Sequence, residues 1–308
     1  MSDLDRQATQ REAQRSAGDL RRATTYSEAV NRYLSMDTYR QTRVTVPAPA
    51  PARPERTKTG LVLVGVDDSL AGYVAVDHAA IEAELRGWDL RLVHVQHGAV
   101  RHPARDLGAQ LLERMTDRVH GCSPTVAVTS RLVVGAPAAA LLTEAVSAGL
   151  VVVGHEHGLA SAALGMAVGD RVAIHHPGTV LVVRVPGWPP GAQYGTRPIV
   201  VGVDASPTSP RTIGFALAEA QLRGCELIML HAAGDGPVPA DRAEHRDGVV
   251  VHHRVVTGDP IPALLAASGK AAAVIVGRHG RRPVTDALLG SVSRALLQRA
   301  DCPVFLVG

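Results

Sequence analysis

The sequence predicts an α/β fold written twice: two tandem open sandwiches, each built on a five-stranded parallel sheet. Continuous apolar runs such as Leu61–Val66 and Ala271–Val276 mark strands buried on both faces. They alternate with helix-length segments, which implies right-handed βαβ crossovers and helices on both sides of the sheet. The pattern also recurs. Val64-Gly65-Val66-Asp67-Asp68-Ser69 returns as Val201-Gly202-Val203-Asp204-Ala205-Ser206, an offset of 137 shared by Arg86-Gly87 with Arg223-Gly224 and by His94 with His231. The offset falls to 123 for Gly135-Ala136-Pro137 with Gly258-Asp259-Pro260, for Leu141-Leu142 with Leu264-Leu265, and for Gly154 with Gly277. The second copy has therefore lost 14 residues between His231 and Gly258. Each copy is domain-sized, which separates this repeat from a solenoid.

In the first copy Leu61–Val66 is a strand, and Ser69 is placed to cap a helix that runs to about Arg86. Leu90–Val95 is the next strand and Asp106–His120 the next helix. Thr125–Val134 is a third strand, Pro137–Ser147 a helix and Leu150–Val153 a fourth strand. A helix over Val168–His175 and a strand over Thr179–Val185 close the copy. The second copy repeats the strands as Ile199–Val203, Leu227–His231, Val249–Val256, Ala272–Val276 and Val304–Val307. Its second helix, around Ala240–His245, must be short or missing. Ahead of the copies, Tyr26, Ala29, Val30, Tyr33 and Leu34 recur at helical spacing, a short amphipathic helix able to dock. Ser2–Arg22 is polar, and Pro47–Pro54 reads as a semi-rigid extended linker. A second linker, Pro186–Gly191, separates the copies.

Composition agrees. The chain has 308 residues, room for about two domains, and its 46% hydrophobic content suffices for two cores. Aromatics are only 3%, so those cores rest on Val, Leu, Ala and Ile. Cys122, Cys225 and Cys302 show neither metal spacing nor a disulfide framework, which points to a reducing cytoplasm. No apolar run approaches a membrane span and the start carries no signal-peptide core, so no membrane role is expected. The net charge is +3, yet residues 1–58 alone carry 11 Lys/Arg against 7 Asp/Glu. The repeats are near neutral, which argues against nucleic acid as a partner.

The chemistry concentrates where the strand ending at Val276 runs into Gly277-Arg278-His279-Gly280, followed after nine residues by Gly290-Ser291. Glycines let the backbone approach an anion closely. A helix opening at Ser291 aims its unpaired N–H groups and dipole at the same place. Arg278, Arg281 and Arg282 are candidate sources of positive charge.

These residues resemble the universal stress protein family. Gly277, Gly280, Gly290 and Ser291 match its ATP-binding pattern, supported by the opening Val201–Ser206, by Leu230-His231 and by the closing Cys302-Pro303-Val304. The resemblance covers about residues 60–185 and 198–308. It implies two universal stress domains of adenine-nucleotide-hydrolase-like fold. The layout would be an extension over 1–58, a first domain over 59–186, a linker over 187–197 and a second domain over 198–308. It also implies ATP, with or without Mg, in the second domain. The nucleoside would lie near Asp204 and Ala232, and the phosphates on the turn from Val276 through Gly277 and Gly280. Gly290 and the helix start Ser291-Val292-Ser293 would complete the phosphate site. The family pairs its domains through their last strands, so Thr179–Val185 and Val304–Val307 are expected to pair antiparallel into an internal pseudo-dimer. A homodimer of whole chains is a further option.

The first copy departs from the pattern. Gly154-His155-Glu156-His157-Gly158 places the second glycine one position late. The next glycine, Gly165, follows after six residues and precedes Met166 where serine is expected, so this copy reads as a shortened, degenerate nucleotide loop. His155 and His157 lack a third ligand for zinc. No P-loop, serine elbow or paired acid and base occurs. The function expected is a cytoplasmic, stress-response ATP-binding module. A slow ATP hydrolase, an adenylyl-transferring enzyme and a scaffold with vestigial sites remain as alternatives.

Overall fold

A computed structural model describes residues 26–35, 60–96, 102–155, 167–185, 197–204, 209–233, 240–278 and 289–308. Helix α1 spans residues 26–34. The first repeat then runs β1 (Leu61–Val66), α2 (Leu70–Arg86), β2 (Asp89–Gln96), α3 (His102–Cys122) and β3 (Val128–Val134). It continues through α4 (Pro137–Glu144) with a 3-10 turn (Ala145–Ser147), β4 (Leu150–His155), α5 (Val168–His175) and β5 (Thr179–Arg184). The second runs β6 (Ile199–Val203), α6 (Ser209–Arg223), β7 (Leu227–Ala233), β8 (Arg242–Arg246) and β9 (Val249–Thr257). It ends with α7 (Pro260–Ser268), β10 (Ala273–Gly277), α8 (Ser291–Arg299) and β11 (Val304–Val307).

Local chemistry sets the boundaries. Ser69 Oγ accepts from the Gly72 N–H at 3.0 Å and starts α2, while Gly87 at φ 64° ends it in the left-handed region that favours glycine. Pro260 opens α7 behind Asp259, whose carboxylate accepts from the Ile261 N–H. Helix α3 is longer at both ends than its apolar pattern indicates. Strand β3 begins three residues after Thr125, because Val126 donates to Ser123 in a turn.

The second repeat corrects the five-strand expectation. Where the first has α3, the second has β8, which pairs antiparallel with β9 through a turn at Asp247 (φ 50°) and Gly248 (φ 82°). Both turn residues have positive φ, the conformation that matches the twist of a two-residue hairpin. The helix around Ala240–His245, expected to be short or missing, is missing, and this repeat contributes six strands among the described residues.

Among the described residues, the strands join one 11-stranded sheet in the order β3-β2-β1-β4-β5-β11-β10-β6-β7-β9-β8. The repeats meet where β5 and β11 run antiparallel, with Val304 opposite Val182, Phe305 opposite Leu181 and Leu306 opposite Val180. Every residue of β11 is buried, so this pairing removes two apolar edges at once. Each face of the sheet carries a core shared by both repeats. One lies under α1, α2, α3 and α6, with Tyr33, Ile81, Met115 and Ala216. The other lies under α4, α5, α7 and α8, with Leu141, Val172, Leu264 and Leu296.

On the first face a buried charge quartet marks the internal symmetry. Glu82 and Arg86 of α2 correspond, at the offset of 137, to Glu219 and Arg223 of α6. Arg86 donates to Glu82 and Glu219, and Arg223 donates to Glu219 and Glu82. Burial pushes the Glu82 carboxyl up, but Arg223 and Arg86 outweigh it and hold Glu82 below its ordinary value. Two carboxylates against two guanidiniums leave no net charge inside the seam.

Candidate functional site

Strand β6 lies between β10 and β7. The chain leaves β6 for β7 on one side, while β10 flanks it on the other, so the crossovers diverge outside the carboxyl ends of β6 and β10. Such a switch point is where open α/β sheets form their ligand crevice. Asp204 directly follows β6, Gly277 ends β10, and Ala232 lies in β7 opposite Val256. Val276 is buried in the core and offers the crevice its backbone alone.

Helix α8 begins at the same end. Its N-cap is Gly290, with φ −58° and ψ 156° and no side-chain cap. The N–H groups of Ser291, Val292 and Ser293 precede the first intrahelical bond, which runs from Arg294 N–H to Gly290 at 3.0 Å. Gly290 N–H donates to the Arg278 carbonyl at 3.2 Å. Ser293 Oγ donates to the Gly277 carbonyl at 2.8 Å, with Arg278 O a longer contact at 3.5 Å. These bonds hold the glycine turn against the helix start. Ser291 is exposed, and Val292 packs on the core below, which fixes the first turn.

Two expectations change here. Ser293 is buried and its hydroxyl proton is committed to Gly277, so the residue positions the turn instead of donating to a phosphate. Arg278 turns away. Its guanidinium is buried and donates to the carbonyls of Ile174 at 3.2 Å and Gly178 at 2.9 Å, both in the first repeat. Burial pushes its pKa below the ordinary arginine value. Arg278 is a seam residue. Gly280, Arg281 and Arg282 lie outside the described residues, as do His157, Gly158 and Gly165.

The first repeat has the same scaffold with other chemistry. From Gly154 to its helix N-cap, Ala167, is the same number of positions as from Gly277 to Gly290, so the loop is not shortened. Ala167 has φ −56° and ψ 152°, nearly the Gly290 geometry. The offset of 123 then pairs Val168 with Ser291, Asp170 with Ser293 and His155 with Arg278. Asp170 places a carboxylate in the first turn of α5, 3.5 Å from the Nδ1 of buried His155. The helix dipole that would draw an anion there already faces a fixed negative charge. The offset that pairs Gly154 with Gly277 reaches these positions directly, so the sequence held the signal. Gly165 drew the alignment two residues short.

Comparison with known proteins agrees with this architecture. The model of the universal stress protein family matches residues 60–184, 195–248 and 238–308. Universal stress protein Rv1996 of Mycobacterium tuberculosis is 30% identical over 306 residues, covering 82% of this chain and 96% of the relative. A universal stress protein of Mycolicibacterium smegmatis is also 30% identical, over 80% of this chain and 96% of its own. Among solved structures, a universal stress protein from Archaeoglobus fulgidus superposes with a TM-score of 0.63 at 16% identity, covering 80% of this chain and 95% of that one. A fold of two joined α/β repeats, relatives matched along nearly their whole length and a family model spanning both repeats lead to one conclusion: the chain belongs to the universal stress protein family.

Proposed function

We propose that the second repeat binds ATP, with or without Mg, and that the chain works as a nucleotide-binding regulatory module in a stress response. The observation that carries the reading is the start of α8. A helix N-terminus without a side-chain cap is stitched to the glycine turn of β10 beside the β6 switch point. Three backbone N–H groups and the positive end of the helix dipole suit a phosphate chain. Asp204 and Ala232, on the neighbouring strands, are the groups for the nucleoside end. Gly277 and Gly290 leave the phosphates room beside the backbone, and Ser291 supplies an exposed hydroxyl.

The first repeat is the internal control. It shares the strand before the loop and the helix start after it, and it places Ala167, Val168 and Asp170 where the second has Gly290, Ser291 and Ser293. The expected stoichiometry is one nucleotide per chain. Gly290→Val tests the assignment, because a β-branched side chain there blocks the approach of a phosphate. The expected result is loss of ATP binding by calorimetry with an unchanged melting temperature. Unaltered affinity would refute the site.

A further inference from the structure

Helix α1 lies outside the residues that the family model matches, yet it is seated on the face shared by both repeats. Tyr26, Ala29, Val30 and Tyr33 are buried to 4% exposure or less. The Tyr26 ring lies 5.1 Å from the Arg223 guanidinium of α6, and the Tyr33 ring 5.9 Å from that of Arg118 in α3. Tyr33 Oη donates to Ser123 Oγ at 3.2 Å. Arg32 pairs with both oxygens of Glu84 on α2, at 2.6 and 2.7 Å, and donates to the Cys122 carbonyl. So α1 touches α2, α3 and α6, and bridges the repeats.

The buried charges on the floor of this seat are paired without it. Arg223 is paired by Glu82 and Glu219, Arg118 by both oxygens of Asp77, and Ser123 Oγ donates to Glu84 at 2.6 Å. Removing α1 would uncover apolar surface but strand no buried charge, the condition under which a helix can leave and another can enter. A nine-residue helix is also too short to persist alone in water. Its helicity therefore depends on docking, as in coupled folding and binding. Twenty-six residues, 35–60, separate it from β1.

We propose that the α2–α3–α6 face is a helix-docking groove and that α1 is its resident, exchangeable ligand. The groove fits an amphipathic helix with an aromatic at each end, two small apolar residues between them and an arginine on the Glu84 side. This is helix-in-groove recognition, read as anchors at i, i+3, i+4 and i+7. In the intact chain the tether gives α1 a high effective concentration and keeps competitors out.

The test uses full-length chains and a fluorescent peptide of residues 22–38. Tyr26→Ala with Tyr33→Ala dislodges the resident helix and leaves the groove. The peptide should bind this variant at least roughly tenfold more tightly than the wild type, a gap of about 1.4 kcal/mol. Arg32→Ala keeps all four buried side chains and should bind the peptide with intermediate affinity. Hydrogen exchange should show α1 opening far more often than α2 in the wild type. Absence of peptide binding to both variants, with α2 still protected, would overturn the proposal, as would equal affinity for wild type and variants. Should the double variant fail to fold, Arg32→Ala against wild type decides.

Discussion

Gly290 and Ala167 share a backbone conformation, so Gly290 is not there to permit an unusual φ. Its missing side chain is what differs. Gly290→Ala should therefore leave the melting temperature unchanged and cost roughly tenfold in ATP affinity, about 1.4 kcal/mol. Calorimetry and thermal unfolding on the same preparation separate the two effects. Elsewhere single residues carry stability. Asp77 is fully buried, and burial pushes its carboxyl up to about 6 although both oxygens accept from Arg118. Because that value lies above the ordinary aspartate value, the folded chain takes up a proton that the unfolded chain releases. The contribution of Asp77 to stability is therefore largest below about pH 4 and declines as pH rises to about 6. Arg118→Met would leave this carboxylate buried without its partner, at a cost of about 3–5 kcal/mol at neutral pH. Urea unfolding should show that cost shrinking as the pH is lowered towards about 6, where the wild-type carboxyl is itself protonated in the folded chain, and levelling off below. A penalty independent of pH would contradict the account. At this scale the sequence was partly legible: Gly277, Gly290 and Ser291 stand where spacing puts them. The inward turn of Arg278 depends on Ile174 and Gly178 of the other repeat, which no local pattern discloses.

Helices α5 and α8 are the same element with opposite electrostatic starts. If Asp170 is what keeps anions from α5, then Ala167→Gly, Val168→Ser and Asp170→Ser together should create a second site. The expected outcome is a rise from one ATP to two per chain in a titration, with Gly290 untouched. No second site in a folded triple variant would mean that the first repeat fails for another reason. The loss of 14 residues from the second repeat leaves its second helix short or missing, and it is missing. The strand that stands in its place is not disclosed by the repeat but by local turn chemistry: Asp247-Gly248 is a strong hairpin signal set between Arg242–Arg246 and the Val-rich β9. Helix α1 shows the converse. Its apolar spacing announced a docking face, but the receptor combines three helices from two repeats and is not written near it.

The whole molecule is one sheet made from two similar halves. Strand alternation and apolar runs made the α/β class legible, since both follow from burial on two faces. The joining of β5 to β11 follows from the cost of leaving two apolar edges open. The single core on each face needed the structure, because it depends on helices of one repeat packing beside those of the other. Val304→Asp with Phe305→Asp puts carboxylates where exposure is 1% or less, opposite Val182 and Leu181. The seam should open: dye binding to apolar surface should rise, and urea unfolding should split into two transitions. A single, unshifted transition would show that the halves hold together by other means. The account as a whole rests on one nucleotide site in a chain that carries two copies of the fold. Its most direct test is calorimetric titration of the intact chain with ATP, in parallel with Gly290→Val and Ala167→Val. The account predicts one site per chain, lost in Gly290→Val and retained in Ala167→Val. Two equivalent sites, or one that survives Gly290→Val and disappears in Ala167→Val, would contradict it.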